Sequence, residues 1–183
     1  MITPRLTTQR FTLRAFEPAD LVAFTQYRAA PEVARYQSWT DYQYEDAQVL
    51  FEGTDYADFA RPGQWYQLAI AEKGQGRLLG DLAVHFIDEQ QVEVGFTVAP
   101  AHQGQGVASE ALATLLQYLF ETLRRHRVVA TTDARNEASW RLLERLGFRR
   151  EAHFVQNVFF KGAWGDEFQY ALLASEYRAR NAG

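Results

Sequence analysis

The chain has no cysteine among its 183 residues. Disulfides, thiolate metal sites and a cysteine nucleophile are excluded, and nothing calls for an oxidising compartment. Histidine is scarce: His85, His102, His126 and His153 are scattered without metal-ligand spacing, so no metal is expected. No apolar run approaches the ~20 residues of a membrane-spanning helix. Pro4 and Arg5 stand where a secretory signal would need its apolar stretch, and a soluble, cytoplasmic protein is expected. Excess positive charge is missing too. With 19 Lys plus Arg against 23 Asp plus Glu, the net charge of -4 gives no general attraction to nucleic acid or anionic membrane, and neither is expected as a partner. Repeats, low-complexity tracts and Pro/Gly/Ser linkers are absent, so one domain over residues 1–183 is expected.

What is present is 47% hydrophobic sequence, enough for one substantial core. Alternation predicts a first strand over Arg10–Phe16, and EPADLVAFTQYRAA a helix that starts at Pro18. A second helical pattern runs from Tyr44 to Phe59, interrupted by Gly53. Three strands follow, from Trp65, from Leu78 and from Gln91, the first two joined by the turn Lys73–Arg77. The strongest helix repeats apolar residues at three- and four-residue steps from Val107 to Leu123. RVVATT, Arg127–Thr132, reads as a short buried strand. NEASWRLLERLG reads as a helix capped by Asn136 and stopped by Gly147. Two last strands, Phe154–Phe160 and Glu167–Leu173, flank KGAWGD. The order β-α-α-β-β-β-α-β-α-β-β implies an α/β fold with a mixed sheet and helices on its faces.

AHQGQGVASEAL, Ala101–Leu112, places two glycines one residue apart between a strand and a helix. Backbone amides at such a helix start suit a phosphate anion. Gly104, Gly106 and Ser109 follow the dinucleotide spacing only loosely: the third glycine is missing, and Asp133 comes later than the ~20 residues expected of a ribose carboxylate. An NAD(P)-dependent oxidoreductase is the weaker reading. QGQGVA, Gln103–Ala108, resembles the Q/R-x-x-G-x-G/A signature of the GNAT superfamily of N-acetyltransferases. TQRFTLRAFEPAD, VEVGFTVAP, ARNEASWRLLERLGF and KGAWGDEFQYALLASEY resemble, in order, four further segments of its RimJ/RimL-like branch, related to ribosomal-protein N-terminal acetyltransferases.

The resemblance implies the GNAT sandwich, with two neighbouring parallel strands splayed to admit the pantetheine arm of acetyl-CoA as cosubstrate. It implies coenzyme contacts from Phe96, Thr97, Val98, Gln103, Gly104, Gln105, Gly106, Val107, Ala108, Ser109, Asn136 and Ser139. Gly95, in a β-branched and aromatic strand, is a natural place for a bulge or a close backbone approach. Glu93 matches a position where some relatives carry the general base, and is otherwise a solvated strand glutamate or half of an ion pair. The tyrosine that commonly protonates the thiolate is replaced by Leu143. Ser139, one turn earlier, either serves the sulfur or belongs only to the helix start. Tyr36, Trp39 and Tyr42 fall where relatives border the acceptor site, and are either that wall or core. The implied activity is acetyl transfer to a primary amine, on a small molecule or a peptide N-terminus. The absent tyrosine keeps a non-catalytic acyl-CoA-binding module as the alternative.

Overall fold

The computed structural model describes residues 1–182. In chain order, β1 (Leu6–Thr7) and β2 (Phe11–Ala15) precede three short helices, α1 (Leu21–Ala29), α2 (Pro31–Ala34) and α3 (Tyr44–Glu52). A meander of β3 (Gln64–Glu72), β4 (Leu78–Phe86) and β5 (Gln91–Val98) leads into α4 (Val107–Gln117). Then come β6 (Arg127–Asp133), α5 (Glu137–Arg145), the hairpin β7 (Arg149–Phe160) and β8 (Ala163–Leu173), and α6 (Ala174–Asn181). The strands form one sheet in the order β1-β2-β3-β4-β5-β6-β8-β7. All neighbours are antiparallel except β5 and β6. The expected mixed sheet of the α/β class is therefore present, with β1, α2 and α6 added.

Period-two alternation sends the two faces of each strand to different cores. On one face, Leu112, Leu115, Leu116 and Leu119 of the α4 region meet Leu68, Leu82, Val84, Val92 and Val94. On the other, Phe16, Leu21, Phe24, Tyr27 and Tyr42 close over Ala69 and Leu78. A buried leucine of this kind contributes about 1.5–3 kcal/mol of transfer free energy, so the α4 stripe anchors the whole layer.

Several expected boundaries move: α1 begins after a 3-10 turn at Pro18–Asp20, the long helix passes from α into a π turn at Tyr118–Thr122, and two further shifts are larger. The helix from Tyr44 stops at Glu52 rather than Phe59, because the chain beyond Gly53 finds better partners elsewhere. The Thr3 amide donates to the Tyr56 carbonyl, and the Tyr56 hydroxyl to that of Gln67. The last hairpin is longer than expected, its turn only Lys161–Gly162, both left-handed as a two-residue turn of this type requires. Ala163–Asp166, expected in the turn, belongs to β8.

The ladder between β5 and β6 is short. It matches Gln91 with Arg127, Val92 with Val128 and Glu93 with Val129, and then ends. Beyond it β6 stays bonded to β8 through Asp133↔Glu167, while β5 stays bonded to β4 through Gly80↔Val98. Each strand is satisfied on its outer side, and the two part. Of the two uses expected of Gly95, a bulge or a close backbone approach, β4 and β5 show no bulge, since they keep register from Gly80↔Val98 to Phe86↔Val92. Its neighbour across the ladder is the small Ala83, whose Cβ would lie 3.6 Å from a Cβ on Gly95, so nothing forces a bulge.

Candidate active site

The parting of β5 and β6 opens a cleft of about 440 Å³, lined on its sheet side by Asp81, Ala83, Glu93, Gly95 and Thr97. Ala130 to Asp133 of β6 face it from across the gap, and Asn136, Ser139 and Leu143 of α5 close one end. Val158 and Phe160 reach over it from β7. The hairpin tip is tied down: the Lys161 ammonium donates to the Ala34 carbonyl at the end of α2.

Uninterrupted alternation puts Glu93, Gly95 and Thr97 on the cleft side and Val92 and Val94 in the α4 core. Glu93 is half-buried, its Oε2 3.5 Å from Nδ1 of His85, directly across the ladder. The His85 ring is stacked on Trp65 at 4.5 Å between centroids, which fixes its plane. The imidazole lies beside this carboxylate on the same face of the sheet, close but without a hydrogen bond to it, and the carboxylate borders the cleft.

The glycine loop follows β5 and leads into α4; none of its residues lines the cleft, and Gln105 and Val107 instead line a second depression with Arg10, Lys73, Arg77 and His102. Gly104 and Gly106 take φ of 72° and 75°, a conformation costly for other residues. Gly106 is the N-cap of α4 and supplies no side-chain acceptor, so the amides of Val107, Ala108 and Ser109 begin the helix without partners. A Cβ on Gly104 would meet nothing within 4 Å. The loop side chains are turned to holding its shape: Gln103 Nε2 donates to the Val98 carbonyl at 3.0 Å, and Gln105 Nε2 to that of Ala101 at 3.1 Å. Sequence reading missed Arg10. Its guanidinium donates to the Gln105 carbonyl at 2.9 Å and to Glu110 at 2.7 Å, placing a cation beside the loop. Glu110, opposed by burial but held by hydrogen bonds from Thr8 and Arg10, keeps its carboxyl below the usual range.

On α5, Asn136 is the cap expected of it, its Oδ1 accepting from the Ser139 amide at 3.3 Å. Ser139 and Leu143, one turn apart, both line the cleft. Asp133, at the β6 end, is opposed by burial yet held below its usual range by the hydrogen bonds and charge of Arg135.

The aromatic segment divides. Tyr36 and Trp39 line the cleft, whereas Tyr42 is buried behind Trp39, 5.4 Å between rings, and backs the wall without forming it. Residues that sequence reading did not single out complete the floor. Asp81, 1% exposed, accepts from the Tyr27 hydroxyl and from Gln67 Nε2, and lies 3.5 Å from the Arg28 guanidinium. Burial first, and then the charge of Asp81, push the Tyr27 hydroxyl well above its ordinary pKa, so it stays a neutral donor. The one available signal was a charged residue inside the apolar run LLGDLAVHF.

Against known families, the acetyltransferase (GNAT) domain matches residues 10–149. The uncharacterised N-acetyltransferase YnaD of Bacillus subtilis (strain 168) is 30% identical over 173 residues, 94% of this chain and 98% of the relative. The [ribosomal protein uS5]-alanine N-acetyltransferase of Escherichia coli (strain K12) is 31% identical over 84 residues, 46% of this chain and 43% of the relative. Among solved structures, a GNAT-family acetyltransferase from Bacillus anthracis superposes with a TM-score of 0.84 at 27% identity, covering 94% of this chain and 99% of the other. The spermidine N-acetyltransferase of Vibrio cholerae, solved in complex with CoA and spermine, superposes with a TM-score of 0.79 at 25% identity, covering 91% and 97%.

Proposed function

The chain belongs to the GNAT acetyltransferase family, and on that premise we propose how its cleft carries acetyl groups from acetyl-CoA to a primary amine. The observation that carries the reading is the end of the β5–β6 ladder at Glu93 and Val129, with β5 running on past it toward the glycine loop that starts α4. The pyrophosphate is held by the loop and first-turn amides from Gly104 to Ser109, with the loop side chains of Gln103 and Gln105 fixing their geometry. The pantetheine arm runs along the unpaired edge of β5 at Phe96, Thr97 and Val98, and past Asn136. These residues fit the coenzyme, since the edge needs partners that pantetheine amides supply.

Transfer is direct. The amine nitrogen attacks the thioester carbonyl carbon, a C–N bond forms, and the C–S bond breaks. Backbone amides of the β5 edge stabilise the oxyanion. Glu93 takes the proton that the amine sheds, directly or through one water, because it is the carboxylate that borders the cleft where β5 and β6 part, with no cation paired to it. The thiolate regains a proton by way of Ser139, since Leu143 offers none.

The acceptor is a primary amine of a small molecule or a peptide N-terminus, with Tyr36 and Trp39 on its wall. A terminal α-amino group, with a reference pKa near 7.7–8.0 against about 10.4 for lysine, asks less of a site whose base is one carboxylate. A cleft of about 440 Å³ suits a small molecule. Thermal shifts with acetyl-CoA, CoA and NADH, followed by thiol release over an amine panel, test the proposal. Stabilisation by NADH alone refutes it. Coenzyme binding without turnover on any amine favours the non-catalytic module that Leu143 leaves open.

A further inference from the structure

Arg28, at the end of α1, is the one cationic side chain among the cleft-lining residues, against four carboxylates, Asp81, Glu93, Asp133 and Glu167. Its side chain is only 10% exposed. The guanidinium is packed among the rings of Phe24, Trp39 and Tyr42, with its central carbon 4.3, 4.4 and 5.3 Å from their centroids. Ring faces receive the flat of a guanidinium, but they accept none of its in-plane N–H bonds. Nε is buried without any hydrogen-bond partner, and the only nearby anion is Asp81 at 3.5 Å from Nη2. Asp81 is already taken by Tyr27 and Gln67. The Tyr42 hydroxyl is within reach of the guanidinium as well, but Nε has no partner and no carboxylate closes on the fork, so a rigid, permanently charged group stands at the cleft with donors to spare, an arrangement that matches a carboxylate.

The rest of the cleft carries the opposite preference. Asp81 and Asp133 have arginines beside them, Arg28 and Arg135. Glu93 and Glu167 have only His85 at 3.5 Å and the Asn157 amide at 2.6 Å. Across the ladder Asp81 is level with Thr97, four β5 residues from Glu93, or about 13 Å along the backbone at ~3.3 Å per residue, a span that the Arg28 and Glu93 side chains and one water shorten for a bound zwitterion. Anionic and cationic ends thus share one small-molecule cleft.

We propose that Arg28 anchors a carboxylate of the acceptor, and that the acetylated substrate is a zwitterionic amino acid or an amino-acid-like amine rather than a polyamine. This rests on the acetyltransferase reading above. The amine end lies toward Glu93 and the carboxylate toward α1, with Trp39 covering the body between them.

Calorimetric titration of the free and the CoA-loaded protein, with glycine, phenylalanine and γ-aminobutyrate, each paired with its carboxamide, and with spermidine, tests the assignment. The three acids separate α-amino acids from longer zwitterions. The acids are expected to bind tighter than their amides and than spermidine. Arg28→Gln should reduce acid affinity tenfold or more while leaving CoA affinity and amide affinity in place, and Arg28→Lys should restore part of it. Since Arg28→Gln strands the buried Asp81, the pair Arg28→Gln/Asp81→Asn serves as a charge-balanced second variant with the same expected loss. Equal binding of acids and amides, an acid preference that survives Arg28→Gln, tighter binding of spermidine, or no acid binding at millimolar concentration overturns the proposal. Failure of CoA to bind at all refutes instead the acetyltransferase reading, because the free-protein titrations read Arg28 independently.

Discussion

Glu93 and Val129 form the last matched pair between β5 and β6, and the carboxylate stands where the two strands begin to part. In the proposed mechanism the proton acceptor therefore sits at the inner end of the gap between the two strands. Glu93→Gln is expected to lower kcat roughly 100-fold with acetyl-CoA affinity retained. The pH–rate profile should lose its dependence on that carboxyl. An unaltered profile would assign the proton to water or another group.

Gly106→Trp is expected to abolish coenzyme binding in a protein that still folds. A Cβ there lies 3.3 Å from Arg10 Nη2, the movable end of a long side chain, so the cost falls mainly on the αL backbone and on the space above the loop. Titration with CoA reads the effect, and unchanged affinity would remove the pyrophosphate from this loop.

Gly80 and Gly95 should respond differently to alanine. At Gly80 a Cβ would fall 2.4 Å from the Thr97 carbonyl oxygen, a backbone atom that moves only if β4 and β5 separate. Gly80→Ala is expected to cost about 1–3 kcal/mol in urea unfolding, as overpacking does. Gly95→Ala, with its nearest neighbour at 3.6 Å, should leave stability nearly unchanged. Equal midpoints for the two variants would contradict the close approach.

Glu151 supplies a pH test far from the cleft. Hydrogen bonds from Arg127 first, opposed by burial and aided by Arg149, hold its carboxyl down to about 2. The unfolded chain titrates near 4.3, so the stabilisation is complete above that value and is lost as pH falls from about 4.3 toward about 2. The stability gap between wild type and Glu151→Gln should be constant from pH 5 to 8 and close in acid. A gap that persists at the acid end would show that Glu151 acts through packing.

The sequence by itself determined most of the elements and the turn geometry of the glycine loop, because both depend on neighbours along the chain. Alternation in QVEVGFTV set which β5 side chains face the cleft, and the leucine stripe after Gly106 required α4 to lie on the sheet. The glycine pair announced an αL turn into a helix start, and Asn136 its cap. Where local pattern misled, distant partners prevailed: the segment after Gly53 left its helix for bonds to Thr3 and Gln67, and Ala163–Asp166 left the turn for β8.

Only the tertiary structure decided what surrounds the cleft. Nothing local says that β6 bonds to β8 and releases β5 beyond Glu93, since that choice belongs to a strand forty residues away. Nor does it say that Arg28 from α1 meets Asp81 from β4 beneath Trp39, that His85 lies beside Glu93, or that Arg10 reaches the glycine loop. A side chain's charge is written in the sequence, but the groups that satisfy it, or leave it open for a ligand, are fixed by which elements the shared core draws together.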